Sequence, residues 1–541
     1  MNWKPTEQQQ AVHDAIVDGT ENLAVNAVAG AAKTTTGVWS AGDLAAKTTR
    51  GFSGSARIGF LAFNKHIATE LQSRLQVGVE ASTFHSLGYR ILREHFPGVV
   101  LNAGKLHRHL VANYQHLMRE GRGRWAGRWF LRDEWEAIPD VVGILKQAAD
   151  PETVTDGVLI CSCDLQGVSL PREADQVADL IDTSRKICAE TLGITTACDY
   201  PDMIAMPLHH GIVSPRYDCL LVDECQDLDP AKREMALRLS GRLVVIGDPH
   251  QSIMGFAGAD VHSFGRLGEL LSERPNGYSE LPLSVSFRCP GCVVPLASAL
   301  VPHFSARGNA PVGDLGYVDL ECEGALSCLR AGDMVICRNN APVVSIAYQL
   351  IGAGVPAIVR GRAIGDGLVA LVRRLVGRYQ PSSVSHLIQL VETWAEREVE
   401  KLDRREGTEQ AVAGVRDRAA CCRAVAHGIG PDGQVGDVAT KLDRMFSDES
   451  TNGKVVLSSI HRAKGLEADR VILVDPGRIR DGEQEANLAY VAVTRPKKTL
   501  LWTNTESCKH KIGDGLDGLQ YWINGLSNGS TKVSCNESLY F

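Results

Sequence analysis

Residues 22–34 read Asn-Leu-Ala-Val-Asn-Ala-Val-Ala-Gly-Ala-Ala-Lys-Thr: an apolar strand-like run, a turn of small residues, then a Lys-Thr pair opening a helix-compatible stretch. A strand, a small-residue loop and a helix start are the setting a phosphate-binding loop requires. Backbone N–H groups of Ala29, Gly30, Ala31, Ala32 and Thr35 are candidates to cradle phosphates. Lys33 would add a positive charge on the terminal phosphates, and the Thr34 hydroxyl would coordinate Mg²⁺. The usual glycine before the lysine is Ala32, which places a β-carbon where the backbone approaches the phosphate.

A second segment, Leu220-Leu-Val-Asp-Glu-Cys-Gln-Asp227, is an apolar strand ending in adjacent carboxylates. Metal-assisted phosphoryl transfer needs such a pair, one carboxylate on the cation and another beside it. Asp223 is the expected Mg²⁺ ligand, and Glu224 the group that orients and deprotonates the attacking water.

Strand-like runs recur at Ile58–Asn64, Tyr217–Asp223 and Arg242–Gly247, and again at Asp333–Arg338, Lys454–Ser459, Arg470–Val474 and Thr499–Thr503. Each is followed by a turn and a helical pattern, so two α/β cores with parallel sheets are expected. Helical text interrupts both. Gly88–Cys198 includes Trp125, Trp129 and Trp135, and Ala370–Phe446 is rich in Arg, Glu and Ala.

The chain has 541 residues, enough for three or four domains, which excludes a peptide hormone or a single binding module. Its net charge of −7 leaves no global field for polyanions, so nucleic acid must meet a local groove. Fifteen cysteines are too few for a disulfide scaffold, and they read as reduced cytosolic thiols. Cys289-Pro-Gly-Cys292 and Cys161-Ser-Cys163 have no suitably spaced second pair for zinc. No leader or membrane span is expected.

These segments and five others resemble, in order, the UvrD/Rep-like branch of the superfamily 1 helicases. Gln8 in Thr6-Glu-Gln-Gln-Gln-Ala-Val12 matches its adenine-reading glutamine, and Asp223-Glu-Cys-Gln-Asp227 its DExQD box. Gly247-Asp-Pro-His-Gln-Ser-Ile253 matches the sensor segment, in which Gln251 senses the γ-phosphate. Ser286-Phe-Arg-Cys-Pro290 supplies an adenine-stacking aromatic, Phe287, and a phosphate-contacting arginine, Arg288. His461-Arg-Ala-Lys-Gly-Leu-Glu467 matches the KGLE signature, with Glu467 assigned to the nucleotide site, and Tyr490-Val-Ala-Val-Thr-Arg495 the final arginine motif.

The resemblance implies two tandem RecA-like P-loop domains of α/β fold, each with a mainly helical insertion. The implied layout is 1–87 and 199–278 for the first core, with 88–198 inserted, and 279–369 and 447–526 for the second, with 370–446 inserted. The tail is 527–541. The second insertion resembles that of compact phage-type members. The resemblance also implies that ATP is clasped by both cores, with Arg288 and Arg495 meeting the transferring phosphoryl. Such an arginine is worth roughly 10³ to 10⁵ in rate.

The same resemblance implies a track for single-stranded DNA. Asn64 and Lys65, with the aromatic shifted to Phe63, match one strand-contact motif, and Thr83-Phe-His-Ser86 another, which brings in Thr83 and His85. Phe256 stands at the stacking position of the sensor segment, while Ser459 and His461 continue the track on the second core. Met254 and Ala257 replace the family's tyrosine and arginine. Basic and aromatic text at Lys105–His109 and Arg119–Arg132 is a further candidate DNA grip.

The function implied is an ATP- and Mg²⁺-dependent helicase moving 3′ to 5′ on single-stranded DNA toward a duplex junction, in the cytoplasm of a bacterial or phage-infected cell. There is room for a replication or repair protein partner. An ATP-gated DNA clamp without unwinding is the rival reading. A helicase-nuclease is a weaker one, because Glu506, Asp514, Asp517 and Glu537 are too scattered for a metal cluster.

Overall fold

The computed structural model describes residues 4–49, 56–62, 65–75, 78–119, 122–125, 128–166, 168, 170–171, 173–253, 262–320, 325–402, 409–430, 433–446, 453–480, 482–506, 508 and 510–529. The chain divides into two compact units, one built on Met1–Val28 and Ala32–Ser284, the other on Ala29–Ala31 and Val285–Cys535.

The first unit is organised on six parallel strands: β1 (Asn22–Ala27), β2 (Ile58–Ala62), β3 (Val79–Thr83), β4 (Tyr217–Asp223), β5 (Ser240–Gly247) and β6 (Tyr278–Leu283). Their order is β6-β1-β5-β4-β2-β3. The central strands read as nearly continuous apolar runs because both faces are covered, with Leu220, Leu221 and Val222 fully buried in β4. Register aligns the strand ends. Asn26 pairs with Gly247 and Asp223 with Ile246, so β1, β5 and β4 release their connecting loops at one carboxyl edge of the sheet. That edge is where open parallel sheets bind ligands.

Two helices complete this edge. Helix α1 (Glu7–Asp18) opens with a capping box: Thr6 Oγ1 accepts from Gln9 N at 3.2 Å, and Thr6 N donates to Gln9 Oε1 at 3.0 Å. This fixes Gln8 in the first turn. Helix α2 begins at Lys33 and runs to Thr49 directly after the small-residue loop.

The second unit repeats the plan with β7 (Asp314–Tyr317), β8 (Met334–Cys337), β9 (Ala357–Val359), β10 (Val455–Ser459), β11 (Ala468–Val474) and β12 (Pro496–Thr503). All pairs are parallel, in the order β7-β12-β11-β8-β10-β9. Helices Arg362–Tyr379, Val384–Leu402, Glu409–Ile429 and Val435–Met445 lie between β9 and β10 in sequence and share a core with this sheet through Leu368, Leu387, Val425 and Leu442. No helix among the described residues is long and apolar enough to cross a membrane.

The first insertion is mainly helical, but Trp125 and Trp129 stand on a pair of antiparallel strands, Arg122–Trp125 and Arg128–Leu131, and not on a helix. Alternation of arginine with Gly, Trp and Phe over this run has a period of two, which suits a strand. A buried charge network ties the insertion to the residues that follow it. Lys105 Nζ meets Asp202 Oδ2 at 2.6 Å, and Lys146 Nζ meets Asp202 Oδ1 at 2.7 Å and Asp199 Oδ2 at 3.3 Å. Asp202 is fully buried. Removing one member strands an opposite charge out of water, so Lys146→Ala should lower unfolding free energy by about 3 to 5 kcal/mol. Urea unfolding would measure it; a loss near that of an exposed ion pair would show that water reaches the network.

Candidate active site

The loop after β1 has two residues in the left-handed region, Gly30 at φ +75° and Ala32 at φ +58°. Glycine adopts this conformation freely, whereas an alanine there is strained by about 1 kcal/mol. Ala32 holds the conformation that a glycine at this position would supply, and its carbonyl accepts the Thr36 N–H at 3.0 Å, within the first turn of α2. Ala29 and Ala31 are buried.

Lys33 and Thr34 then meet the end of β4. Thr34 Oγ1 donates to Asp223 Oδ2 at 2.5 Å, and Lys33 Nζ lies 3.6 Å from Glu224 Oε1. Lys33 and Asp223 are buried. Burial, reinforced by the neighbouring Glu224 charge and opposed by Thr34 and Lys33, pushes the Asp223 carboxyl up to about 6. Glu224 is itself left-handed, at φ +54°. A non-glycine residue there is strained and persists only where its surroundings over-determine it, and here they do.

Gln226 is the over-determining residue. Its Nε2 donates to Glu224 Oε2 at 2.5 Å, while its Oε1 accepts from Asp248 N at 3.0 Å. Asp248 Oδ2 in turn accepts from Gln251 Nε2 at 2.6 Å. A hydrogen-bonded path therefore runs Glu224–Gln226–Asp248–Gln251, all but Glu224 buried. Gly247 makes room for it, since a β-carbon there would lie 2.6 Å from Gln226 Oε1. Gln226 and Asp248 stand inside the DExQD and sensor motifs, yet neither is singled out by sequence reasoning; only the juxtaposition of β4 and β5 reveals their role.

Gln8 Oε1 accepts from Ser284 N at 2.8 Å, and Gln8 Nε2 donates to Ser284 Oγ at 2.9 Å, which holds the amide beside the end of β6. Thr83 caps helix Phe84–His95 by accepting from Ser86 N at 3.2 Å. His85 is half-buried in that helix, and burial, followed by Lys232, lowers its pKa against the opposing pull of Asp229. Phe63, Asn64 and Phe256, with Met254 and Ala257, lie outside the described residues, as does the side chain of Lys65.

Within the second unit, Arg288 Nε donates to Glu467 Oε2 at 2.6 Å, and Lys497 Nζ lies 2.5 Å from Glu467 Oε1. Burial raises the Glu467 pKa, but Lys497 and Arg288 together outweigh it and hold the carboxyl low. Phe287 is half-buried. Arg495 is fully buried; its Nε donates to Val491 O at 2.8 Å, Nη1 to Leu466 O at 3.1 Å and Nη2 to Thr494 Oγ1 at 3.2 Å. Ser459 ends β10, and burial, then Arg338 and Arg462, drives the nearby His461 down to about 3, so its imidazole is neutral at physiological pH.

Residues 5–270 match the UvrD/REP helicase N-terminal domain, and residues 438–507 match the UvrD-like helicase C-terminal domain. The chain belongs to the UvrD/Rep-like family of ATP-dependent DNA helicases. ATP-dependent DNA helicase UvrD2 of Mycobacterium tuberculosis is 24% identical over 543 residues, covering 84% of this chain and 73% of the relative. F-box DNA helicase protein 1 of Schizosaccharomyces pombe is 26% identical over 336 residues, 56% of this chain, which spans only 35% of that relative. DNA helicase IV of Escherichia coli is 24% identical over 280 residues, 46% of this chain and 40% of the relative.

The donor set suits the Mg²⁺ that this family implies. A hydroxyl and a carboxylate are hard oxygen donors, and a buried carboxylate with a raised pKa gains from a cation. Among the described residues no group of three or more His, Cys, Asp or Glu side chains could hold a metal. Thr34 and Asp223 are therefore suited to share the ion with nucleotide phosphates, as Mg²⁺ usually requires.

Two outcomes are expected of this geometry. Gln226→Ala should lower kcat for ATP by about 10- to 100-fold with KM changed far less, because Glu224 loses its orientation and not its charge; steady-state kinetics with an equal loss in KM would assign Gln226 to binding. The Asp223 carboxyl, ordinarily near 3.8, stays protonated in the native state up to about 6. Its ionisation therefore removes stability progressively as pH rises from about 4 to 6, and the loss is complete above that window. Mg²⁺-nucleotide should then raise Tm more at pH ~7.5 than at pH ~5, and Asp223→Asn should erase most of the difference; equal shifts at both pH values in the unmodified chain would remove Asp223 from the metal site.

Proposed function

We propose that the chain is a Mg²⁺-ATP-driven motor that moves 3′ to 5′ along single-stranded DNA in the cytoplasm and separates the duplex ahead of it. The observation that carries this reading is the grouping of Lys33, Thr34, Asp223 and Glu224, with Glu224 held by Gln226. Lys33 and the loop Ala29–Thr35 bind the phosphates, and Thr34 and Asp223 hold Mg²⁺, which when bound neutralises phosphate charge. Glu224 orients the attacking water and accepts its proton. Gln251 senses the γ-phosphate and, through Asp248 and Gln226, is wired to that base.

The remaining roles rest on the motif matches. Gln8 and Phe287 receive the adenine, Arg288 and Arg495 offer charge to the transferring phosphoryl, and Glu467 holds Arg288 in position. Lys65, Thr83, His85, Ser459 and His461, with Phe63, Asn64 and Phe256, contact the strand without reading its sequence, which a translocating motor requires. Each base-pair step opposes opening by about 1 to 2 kcal/mol of stacking. A replication or repair protein would load the motor on its junction.

Strand displacement on duplexes carrying only a 3′ or only a 5′ single-stranded tail tests motion and polarity together. Unwinding is expected on the 3′-tailed substrate alone, and Lys33→Ala should abolish it. Glu224→Gln should keep ATP affinity while slowing hydrolysis by about 10² to 10⁴. DNA-stimulated turnover with no displacement on either substrate would replace the motor with the clamp.

A further inference from the structure

A groove in the second unit lies outside the helicase motifs. One wall is the turn Pro476–Arg478 with Ile479 and Arg480; the other is His510–Gly513 and helix α3 (Leu516–Gly529). It is an open groove of about 1000 Å³, room enough to seat a short peptide segment.

The walls are pinned from behind. Fully buried Asp475 accepts from Thr505 N at 2.6 Å, Thr505 Oγ1 at 2.8 Å and Arg478 Nε at 2.7 Å, which fixes the turn. Asn504 bonds Ile512 in both directions, at 2.8 and 3.2 Å, and Trp502 Nε1 donates to Gly513 O at 3.2 Å. Glycine allows the closest approach: a β-carbon on Gly477 would lie 1.7 Å from His510 O. The groove is thus built before any ligand arrives, which lowers the entropy lost on binding.

Its chemistry is specific. Trp522 is 9% exposed, yet its buried indole Nε1 has no hydrogen-bond partner. Beside it Tyr521 is 82% exposed. Arg480, His510 and Lys511 are exposed on the groove, and none forms an ion pair among the described residues. Among the described residues Asp517 is the one carboxylate lining it.

We propose that this groove docks a short acidic peptide segment of a partner protein, with one large apolar side chain against Tyr521 and Trp522 and flanking carboxylates on Arg480 and Lys511. Asp517 accepts a peptide main-chain N–H, a donor that a phosphodiester backbone does not offer. A strand track spaces aromatics along an open surface; here the two aromatics are adjacent in a single concavity. Trp, Tyr and Arg are the side chains that dominate protein–protein binding energy. The chain's net charge of −7 disfavours acidic peptides elsewhere on its surface, so a locally basic groove is selective.

Fluorescence anisotropy with the full chain tests the proposal, using labelled acidic hexapeptides of Asp and Glu in which one position carries Leu, Ile, Phe, Tyr or Trp in turn. At least one should bind with Kd on the order of 10 μM, and replacing its apolar residue by Ser should weaken it about tenfold. Arg480→Glu with Lys511→Glu, both exposed, should weaken binding at least about tenfold while DNA-stimulated ATPase is unchanged. Trp522→Phe, which keeps the apolar body, should weaken it several-fold. Failure of every peptide to bind below about 1 mM, or equal binding to the charge-reversed variant, overturns the proposal. So does displacement of bound peptide by an oligothymidylate, which would assign the groove to nucleic acid.

Discussion

The meeting of β4 with the start of α2 is the constraint on which the active site depends. A buried aspartate at the end of a parallel strand is tolerable only with a hydroxyl and a cation close by, and Thr34 and Lys33 supply both. Because Asp223 is fixed, the next residue must turn sharply, and Glu224 does so in the left-handed region. The strain is held by Gln226, which is held in turn by the backbone of Asp248. Strand order, loop conformation and the direction of the candidate base thus share one cause: three adjacent parallel strands whose carboxyl ends coincide.

Much of this was legible in the chain before its fold. Lys33 with Thr34, and Asp223 with Glu224, are each contiguous, so the chemistry of each pair could be read locally; their contact spans 189 residues and follows from the parallel-sheet reading. The runs at Tyr217–Asp223 and Asp333–Arg338 are readable as strands from their apolar text, and strands are found at Tyr217–Asp223 and Met334–Cys337. What could not be read depends on distant partners. Lys105 reads as part of a basic DNA grip and Lys146 as an ordinary lysine until Asp199 and Asp202 are brought to them; Lys105 is in fact buried against Asp202 and so is withdrawn from that grip. Gln226 looks like a polar turn residue until β5 is laid beside β4. Trp125 and Trp129 read as helical because their neighbours on both sides are, and the local alternation was outweighed.

The conformation of Ala32 shows how a departure from a motif can leave its function possible. A β-carbon at this position suggests crowding of the phosphate, but φ +58° means that the loop keeps the path glycine would allow. The consequence is a modest conformational strain, of about 1 kcal/mol, and not a different loop. Such strain is small beside the electrostatics of the site, so retention of Lys33, Thr34, Asp223 and Glu224 outweighs loss of the glycine.

The cations assigned to phosphate share a further property. Lys33 lies against Glu224, Arg288 donates to Glu467, and buried Arg495 donates to two main-chain carbonyls and a hydroxyl, each within its own unit. A buried guanidinium or ammonium without such partners would be prohibitively unstable. Carbonyls and single carboxylates are nevertheless weaker acceptors than a polyanionic phosphate chain. Under the proposed roles, service at the phosphoryl group would be an exchange of partners, driven only by the difference between new and old contacts. Arg288 can make that exchange most readily, because Lys497 remains to neutralise Glu467 when the guanidinium turns away. Release of Arg495 would leave Val491 O bonded to Thr494 Oγ1 at 3.2 Å but would take the guanidinium from Leu466 O, so under the proposed role it would be accompanied by movement of Leu466 against the segment Val491–Arg495. Nucleotide charge would in that way be converted into displacement of the segment joining the KGLE signature to the final arginine motif, which is what a motor, as distinct from a simple phosphatase, requires.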